Sequence, residues 1–275
     1  MLLLWLIIPG LCFIFSTSWA QTYSGNITDA ETGKPVSYVN IGIVKKNVGT
    51  VTNDSGKFHI ELADTYDRDT LRISIIGYET KNYLVADIKQ DFPGREMEIR
   101  LRQVATELTE VVVKPNKIKT ARLGNNFHSK NVRGGFLSNN LGSEVGIIMR
   151  IKKAPTYIES VEFNIAENKY DSAIWRLNIY LLKDDLPGEN ILKQPIYLKS
   201  YKSRETLSVE LTPYFLEVED DFVVALELIQ DLGERGLMFC AGFFGNSLFY
   251  RDASQGEWKK EPVGLGFTAT VSYDY

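Results

Sequence analysis

Few side chains in this sequence combine the type and spacing that catalysis or metal binding requires. Its 275 residues include two histidines and two cysteines. His59 is followed by Ile60, Glu61 and Leu62, and His128 by Ser129, Lys130 and Asn131, so neither begins a His-x-x-Glu pair. A three-ligand zinc site would have to recruit carboxylates that carry no sequence signature. His59 alternates with Phe58 and Ile60 and reads as an exposed residue on the polar face of a strand. No Gly-x-Ser-x-Gly turn supports a serine nucleophile, and no Walker-type or dinucleotide loop is present. Asp184-Asp185 and Glu219-Asp220-Asp221 fall in turns where oxygen ligands can gather around Ca²⁺, although such turns are ordinarily solvated. Glycoside hydrolysis would need two carboxylates at a set separation in a cleft, which chain spacing does not reveal. The reading is therefore of a protein that is not an enzyme, with no catalytic residue, metal or cofactor. A hydrolase assembled from scattered Asp, Glu and Ser is the distant alternative.

Recognition chemistry is better represented. The C-terminal half is rich in rings, among them Trp175, Tyr180, Tyr197, Tyr201, Tyr214, Phe243, Phe244, Phe249, Tyr250 and Trp258. Trp175 belongs to an apolar alternation and is expected in the core. Tyr180 on the opposite face, and Tyr250 and Trp258 near turns, are the candidate surface rings for a glycan. A second candidate is the run Glu107, Leu108, Thr109, Glu110, Val111, Val112 and Val113, closed by Lys114 and Pro115. Three successive valines ahead of a proline favour an extended segment. Such a segment can add a strand to a partner's sheet edge; it also reads as a last strand of the first domain plus linker.

The elements that would position these groups are strands. From Gln21 to Gln103, short alternating runs such as Phe58, Ile60 and Leu62 are separated by turns at Asp29–Gly33 and Asn53–Gly56. No convincing helix is seen there, and an antiparallel sandwich is expected. Residues 104–123 read as a linker whose Lys114, Lys117, Lys119 and Arg122 make a polar tether. Residues 124–275 are all-β with longer strands, about nine by pattern, which suggests a jelly-roll-like two-sheet sandwich. Within them, Trp175, Leu177, Ile179 and Leu181 alternate with Arg176 and Asn178, and Phe222 to Ile229 is apolar on nearly both faces, as in a central strand.

Residues 1–20 read as a secretory signal: Met1 to Phe15 is almost wholly apolar and Ser18-Trp19-Ala20 offers small residues for cleavage. About 15 apolar residues fall short of the ~20 that span a bilayer. After cleavage Cys240 is the remaining thiol, and its apolar surroundings place it in a core. With 31 Lys and Arg against 35 Asp and Glu, the net charge of −4 leaves no basic stripe for nucleic acid.

The string Gly25-Asn-Ile-Thr-Asp29, Thr32-Gly33-Lys-Pro35-Val-Ser-Tyr38-Val-Asn40, Gly49-Thr-Val-Thr-Asn53-Asp54-Ser-Gly56-Lys-Phe58 and Ser74-Ile-Ile-Gly77-Tyr78 resembles the carboxypeptidase-regulatory-like domain. The resemblance implies a seven-stranded transthyretin-like sandwich for 21–103, in a type of protein common in the secreted and outer-membrane complement of the Bacteroidota. The segment Glu107–Val113 resembles the TonB box that often follows such a domain in outer-membrane transporters. Those transporters continue into a large barrel, so the segment is not expected to energise transport through this chain. Residues 124–275 look like the uncharacterised β-region that follows such domains. The expectation is an envelope binding or interaction protein, periplasmic or outer-membrane-associated, with a protein partner at 107–113 or a glycan at the aromatics. No feature indicates an oligomeric state.

Overall fold

The computed structural model describes residues 20–104, 118–129, 131–202, 206–233 and 236–274. The signal-like residues 1–19 and the docking candidate Glu107–Val113 lie outside these. Among the described residues no helix is long and apolar enough to cross a membrane.

The N-terminal sandwich has seven strands: β1 (Ala20–Asp29), β2 (Asn40–Ile43), β3 (Gly49–Val51), β4 (Lys57–Ala63), β5 (Thr70–Ser74), β6 (Lys81–Leu84) and β7 (Met97–Leu101). They form a three-stranded sheet ordered β4-β1-β7 and a four-stranded sheet ordered β3-β2-β5-β6. The period-2 pattern of β4 buries Phe58, Ile60 and Leu62 and leaves Lys57, His59 and Glu61 exposed. Two expectations are corrected. β1 and β7 run parallel, so the domain is not wholly antiparallel. A short helix, α1 (Val85–Asp91), also follows β6 and buries Val85 and Ile88. Seven residues with two buried positions are too few for helical periodicity to show in the sequence.

The C-terminal sandwich is a larger two-sheet body. One sheet is built on β10 (Glu144–Met149), β12 (Ser172–Lys183), β13 (Leu186–Asn190), β14 (Ile196–Tyr201), β17 (Phe222–Leu228), β19 (Leu248–Arg251) and β20 (Lys259–Glu261). The other holds β8 (Ile118–Gly124), β9 (Arg133–Gly135), β11 (Thr156–Asn168), β15 (Thr206–Glu210), β16 (Leu216–Val218), β18 (Leu237–Gly242), β21 (Gly264–Leu265) and β22 (Phe267–Asp274). The core between them includes Trp175, Phe163, Phe222, Phe239 and Phe267, and Cys240 is buried. This is more than the nine strands expected, because pieces of two to five residues are too short to alternate recognisably. The assigned linker is also shortened: Ile118–Gly124 pairs with β22 along Asp274 to Thr268, so the second domain begins by residue 118.

The two sandwiches meet along the outer face of β12. Arg176 Nη1 donates to the Tyr38 carbonyl (2.6 Å) and Nη2 to Asn40 Oδ1 (2.7 Å). Lys45 N–H donates to the Gln255 carbonyl (2.9 Å), and Gln255 Nε2 donates to Ser74 Oγ (3.0 Å). The loop through Ser254 presses on β2 so closely that a Cβ at Gly42 would stand 2.1 Å from the Ser254 carbonyl oxygen. Glycine is required there by approach, not by backbone angle.

Candidate ligand cleft between the sandwiches

The outer face of the β10–β12–β17–β19 sheet carries a lateral row of charged residues. Cross-strand pairing sets Tyr197 beside Arg176, Arg176 beside Glu227, Glu227 beside Glu144, and Glu144 beside Arg251. Side chains opposite one another on neighbouring strands are close enough to interact, and two facing glutamates would by themselves repel. Each is flanked by an arginine. Arg176 grips Glu227 with Nε on Oε2 (2.8 Å) and Nη2 on Oε1 (2.7 Å). Arg251 Nε donates to Glu144 Oε1 (2.9 Å), with a second, shorter bond from Nη2. Asn178 Nδ2 ties the glutamates together, donating to Glu227 Oε2 (2.8 Å) and Glu144 Oε2 (3.1 Å). The Tyr180 hydroxyl donates to Glu144 Oε2 (2.9 Å), and Asn190 Nδ2 holds Asn178 Oδ1 (2.9 Å).

Both carboxylates have no solvent exposure. Burial disfavours the Glu227 anion, but the Arg176 guanidinium wins and holds its carboxyl below the usual range. At Glu144 burial prevails, helped by the neighbouring Glu227 charge, and lifts the carboxyl above that range despite Arg251. Burial, reinforced by Glu144, also raises the Tyr180 phenol well above its ordinary value.

Above this row lies a cavity of about 350 Å³. Its floor comes from the second sandwich, through Arg176, Asn178, Tyr180, Arg251 and Trp258; its roof, from the first, includes Asn40, Arg72, Ser74 and Thr80. Glu144 and Glu227 do not line it; they stand behind the arginines, spent in ion pairs. The arrangement offers guanidinium, amide and ring surfaces to a ligand. A second cavity of about 500 Å³ along the domain boundary is lined by Asn47, His59, Glu61 and Asn140, without a buried charge network.

The expected aromatic set is partly corrected. Tyr180 is not a surface ring: it is 7% exposed, packed with Ile148, Val223, Ala225 and Phe249 of its own sheet. It nevertheless reaches the cavity wall, with its ring centroid 5.5 Å from that of half-buried Trp258 at 73°. Tyr250 pairs with Val145 across the strands and packs against the core, on the other face of the sheet. It therefore cannot join them. Sequence reasoning placed Arg176 and Asn178 on the polar face of β12 but missed Glu144, Glu227 and Arg251. The available signal was one acid, Glu227, inside the otherwise apolar Phe222–Leu228. Among the described residues, no group of three or more His, Cys, Asp or Glu is placed to hold a metal ion.

Seven strands in a three-plus-four sandwich agree with the comparison to protein families. Residues 23–113 match the CarboxypepD_reg-like domain. The match covers the N-terminal sandwich and stops short of the second. Among solved structures, the chain is similar to the cysteine protease and lectin-like domains of Cwp84, a surface layer associated protein of Clostridium difficile. That likeness has 8% identity and a TM-score of 0.35 over 86% of this chain, which spans 58% of the other. Clostridial cysteine protease Cwp84 after propeptide cleavage gives 8% identity and a TM-score of 0.35, covering 91% of this chain and 70% of that one. No curated protein matches the chain.

Proposed function

We propose that this chain is a non-enzymatic binding protein of the cell envelope, in which the CarboxypepD_reg-like domain and the second sandwich hold a ligand between them. The observation that carries this reading is the cavity over the Arg251–Glu144–Glu227–Arg176 row, walled by both domains. A buried row of this kind would be costly as mere surface, since buried charges are tolerated only when paired and hydrogen-bonded. The placement of both carboxylates behind their arginines favours binding over hydrolysis, because neither is open to a substrate or a water. The apolar leader read at residues 1–20 supports export, and a protein partner at Glu107–Val113 remains part of the proposal.

Tyr180 and Trp258 in the cavity wall favour a carbohydrate as the ligand. A glycan array probed with the wild-type chain and with Thr80→Trp tests this reading. Thr80 is exposed and lines the cavity, so an indole there obstructs it. Binding should be lost in Thr80→Trp and kept in Tyr250→Phe, on the opposite sheet face. Binding that survives Thr80→Trp unchanged would place the site elsewhere. Deleting Glu107–Val113 should separately remove a partner recovered from envelope extracts; an unchanged set of partners refutes docking there.

A further inference from the structure

The hydrogen-bonding capacity left unspent in the cleft is strongly one-sided. Among the described residues, its lining includes three arginines, Arg72, Arg176 and Arg251, and no aspartate or glutamate. Arg176 is consumed by Glu227, Tyr38 and Asn40. Arg251 uses Nε and Nη2 on Glu144 and Tyr180, leaving Nη1 without a hydrogen bond among the described residues. Arg72 is bonded through Nε alone, to Asn82 Oδ1 (3.0 Å), so both of its terminal nitrogens are unspent. Asn40 Nδ2 is a further unspent donor, since its amide is engaged through Oδ1. Against these stand few acceptors: Gln255 Oε1, whose amide nitrogen is bonded to Ser74, and the hydroxyls of Ser74 and Thr80. A ligand suited to this lining brings acceptors and negative charge for the guanidiniums, which suit a carboxylate bidentately. It also brings hydroxyls for Gln255, Ser74 and Asn40, and a partly apolar body against Trp258 and Ile75.

We propose that the cleft binds a carboxylate-bearing sugar, a uronate of mono- or disaccharide size, with its carboxylate held between Arg72 of the first sandwich and Arg251 of the second. The proposal rests on the reading of the cleft as a ligand site. A volume of about 350 Å³ lies near the lower end of the usual ~300–1,000 Å³ range of ligand pockets, which suits one or two rings. Inorganic phosphate matches the arginines but offers little to the Gln255 carbonyl oxygen. A peptide carboxylate would be recognised in part through backbone pairing, yet β12 is already paired on both sides, with β17 and with β13 and β14.

Titration calorimetry on the full chain tests the assignment, with digalacturonate, the equivalent neutral galactose disaccharide, inorganic phosphate and a dipeptide with a free C-terminus. The uronate should bind at least about tenfold tighter than the neutral sugar, a difference of about 1.4 kcal/mol. Arg72→Gln should erase most of that preference. This variant touches neither buried ion pair, so folding is preserved, which circular dichroism checks. Equal affinity for acidic and neutral sugars overturns the proposal, as does phosphate or dipeptide binding as tightly as the uronate. In those cases the cleft reading survives if Thr80→Trp abolishes the binding seen. Absence of binding by all four probes defeats the uronate assignment, and an unoccluded wild-type signal on the glycan array then decides the cleft reading separately.

Discussion

Replacing Arg176 with Met removes a guanidinium that serves two structures at once. Within the second sandwich it neutralises Glu227 through bonds of 2.7 and 2.8 Å, and neither side chain is more than 3% exposed. Breaking a buried pair from one side costs about 3–5 kcal/mol, mostly the penalty of leaving the other charge uncompensated. Across the domain boundary the same side chain bonds the Tyr38 carbonyl at 2.6 Å and Asn40 at 2.7 Å. Hydrogen bonds to charged groups contribute about 1.5–3 kcal/mol each, and this part bears on docking of the domains. The two parts separate in a double variant. Arg176→Met with Glu227→Leu leaves no orphan charge, so the sandwich should regain most of its lost stability while the domain contact stays weakened. Urea unfolding of the full chain reads the first part, and hydrogen exchange across residues 38–43 reads the second. Arg150→Ala is the control: its pair with Asp221 is 3.3 Å long and the arginine is 63% exposed, so it should cost at most about 1 kcal/mol. If Arg176→Met costs no more than Arg150→Ala, or if the double variant is as unstable as the single one, the reasoning from burial fails.

Gly42→Ala should wedge the domains apart, because a Cβ 2.1 Å from the Ser254 carbonyl needs over an ångström of retreat, and Gly49 meets the same oxygen at 2.4 Å. Faster exchange in β2 and greater protease sensitivity near residue 254 are the expected readouts. Asp29 accepts hydrogen bonds from the Thr32 N–H and hydroxyl, the Glu31 N–H, the Tyr78 hydroxyl and Gln103 Nε2, led by the Thr32 N–H at 2.7 Å, which holds its carboxyl down at about 2. A folded-state value below the unfolded one gives stability that is present above the ordinary carboxylate range and lost as pH falls through about 2. Thermal melts should therefore fall off between about pH 4 and pH 2 in the wild type and flatten in Asp29→Asn. Tyr180→Phe removes a buried donor to Glu144 and should cost about 1.5–3 kcal/mol in urea unfolding; a neutral result would mean that Arg251 and Asn178 alone satisfy the carboxylate.

Much of the fold was legible from local pattern. Alternation in Lys57–Ala63 and the Gly-containing turns at Gly33 and Gly56, both with positive φ, mark strands and reversals that depend on near neighbours. The same holds for Phe222–Leu228, apolar on both faces and in fact central between β10 and β12. The helix Val85–Asp91 and strands such as Gly264–Leu265 escaped because their periods are incomplete. The parallel pairing of β1 with β7 joins residues about seventy positions apart, a relation that no window of sequence contains.

The site divides along the same line. The sequence by itself determined that Arg176, Asn178 and Tyr180 share one face of a strand opposite Trp175, since side-chain direction alternates with period two. It could not determine that this face is buried, because at Arg176 the cover comes from another domain, through Tyr38 and Asn40, and at Tyr180 from strands distant in sequence, through Ile148 and Phe249. Nor could it determine that Glu227, Glu144 and Arg251 stand beside Arg176. That row is a matter of register between four strands, and a shift of one residue in any of them turns its charge to the opposite face. Local chemistry selected the residues; long-range pairing and the docking of the two sandwiches decided which charges meet and made a cleft of them.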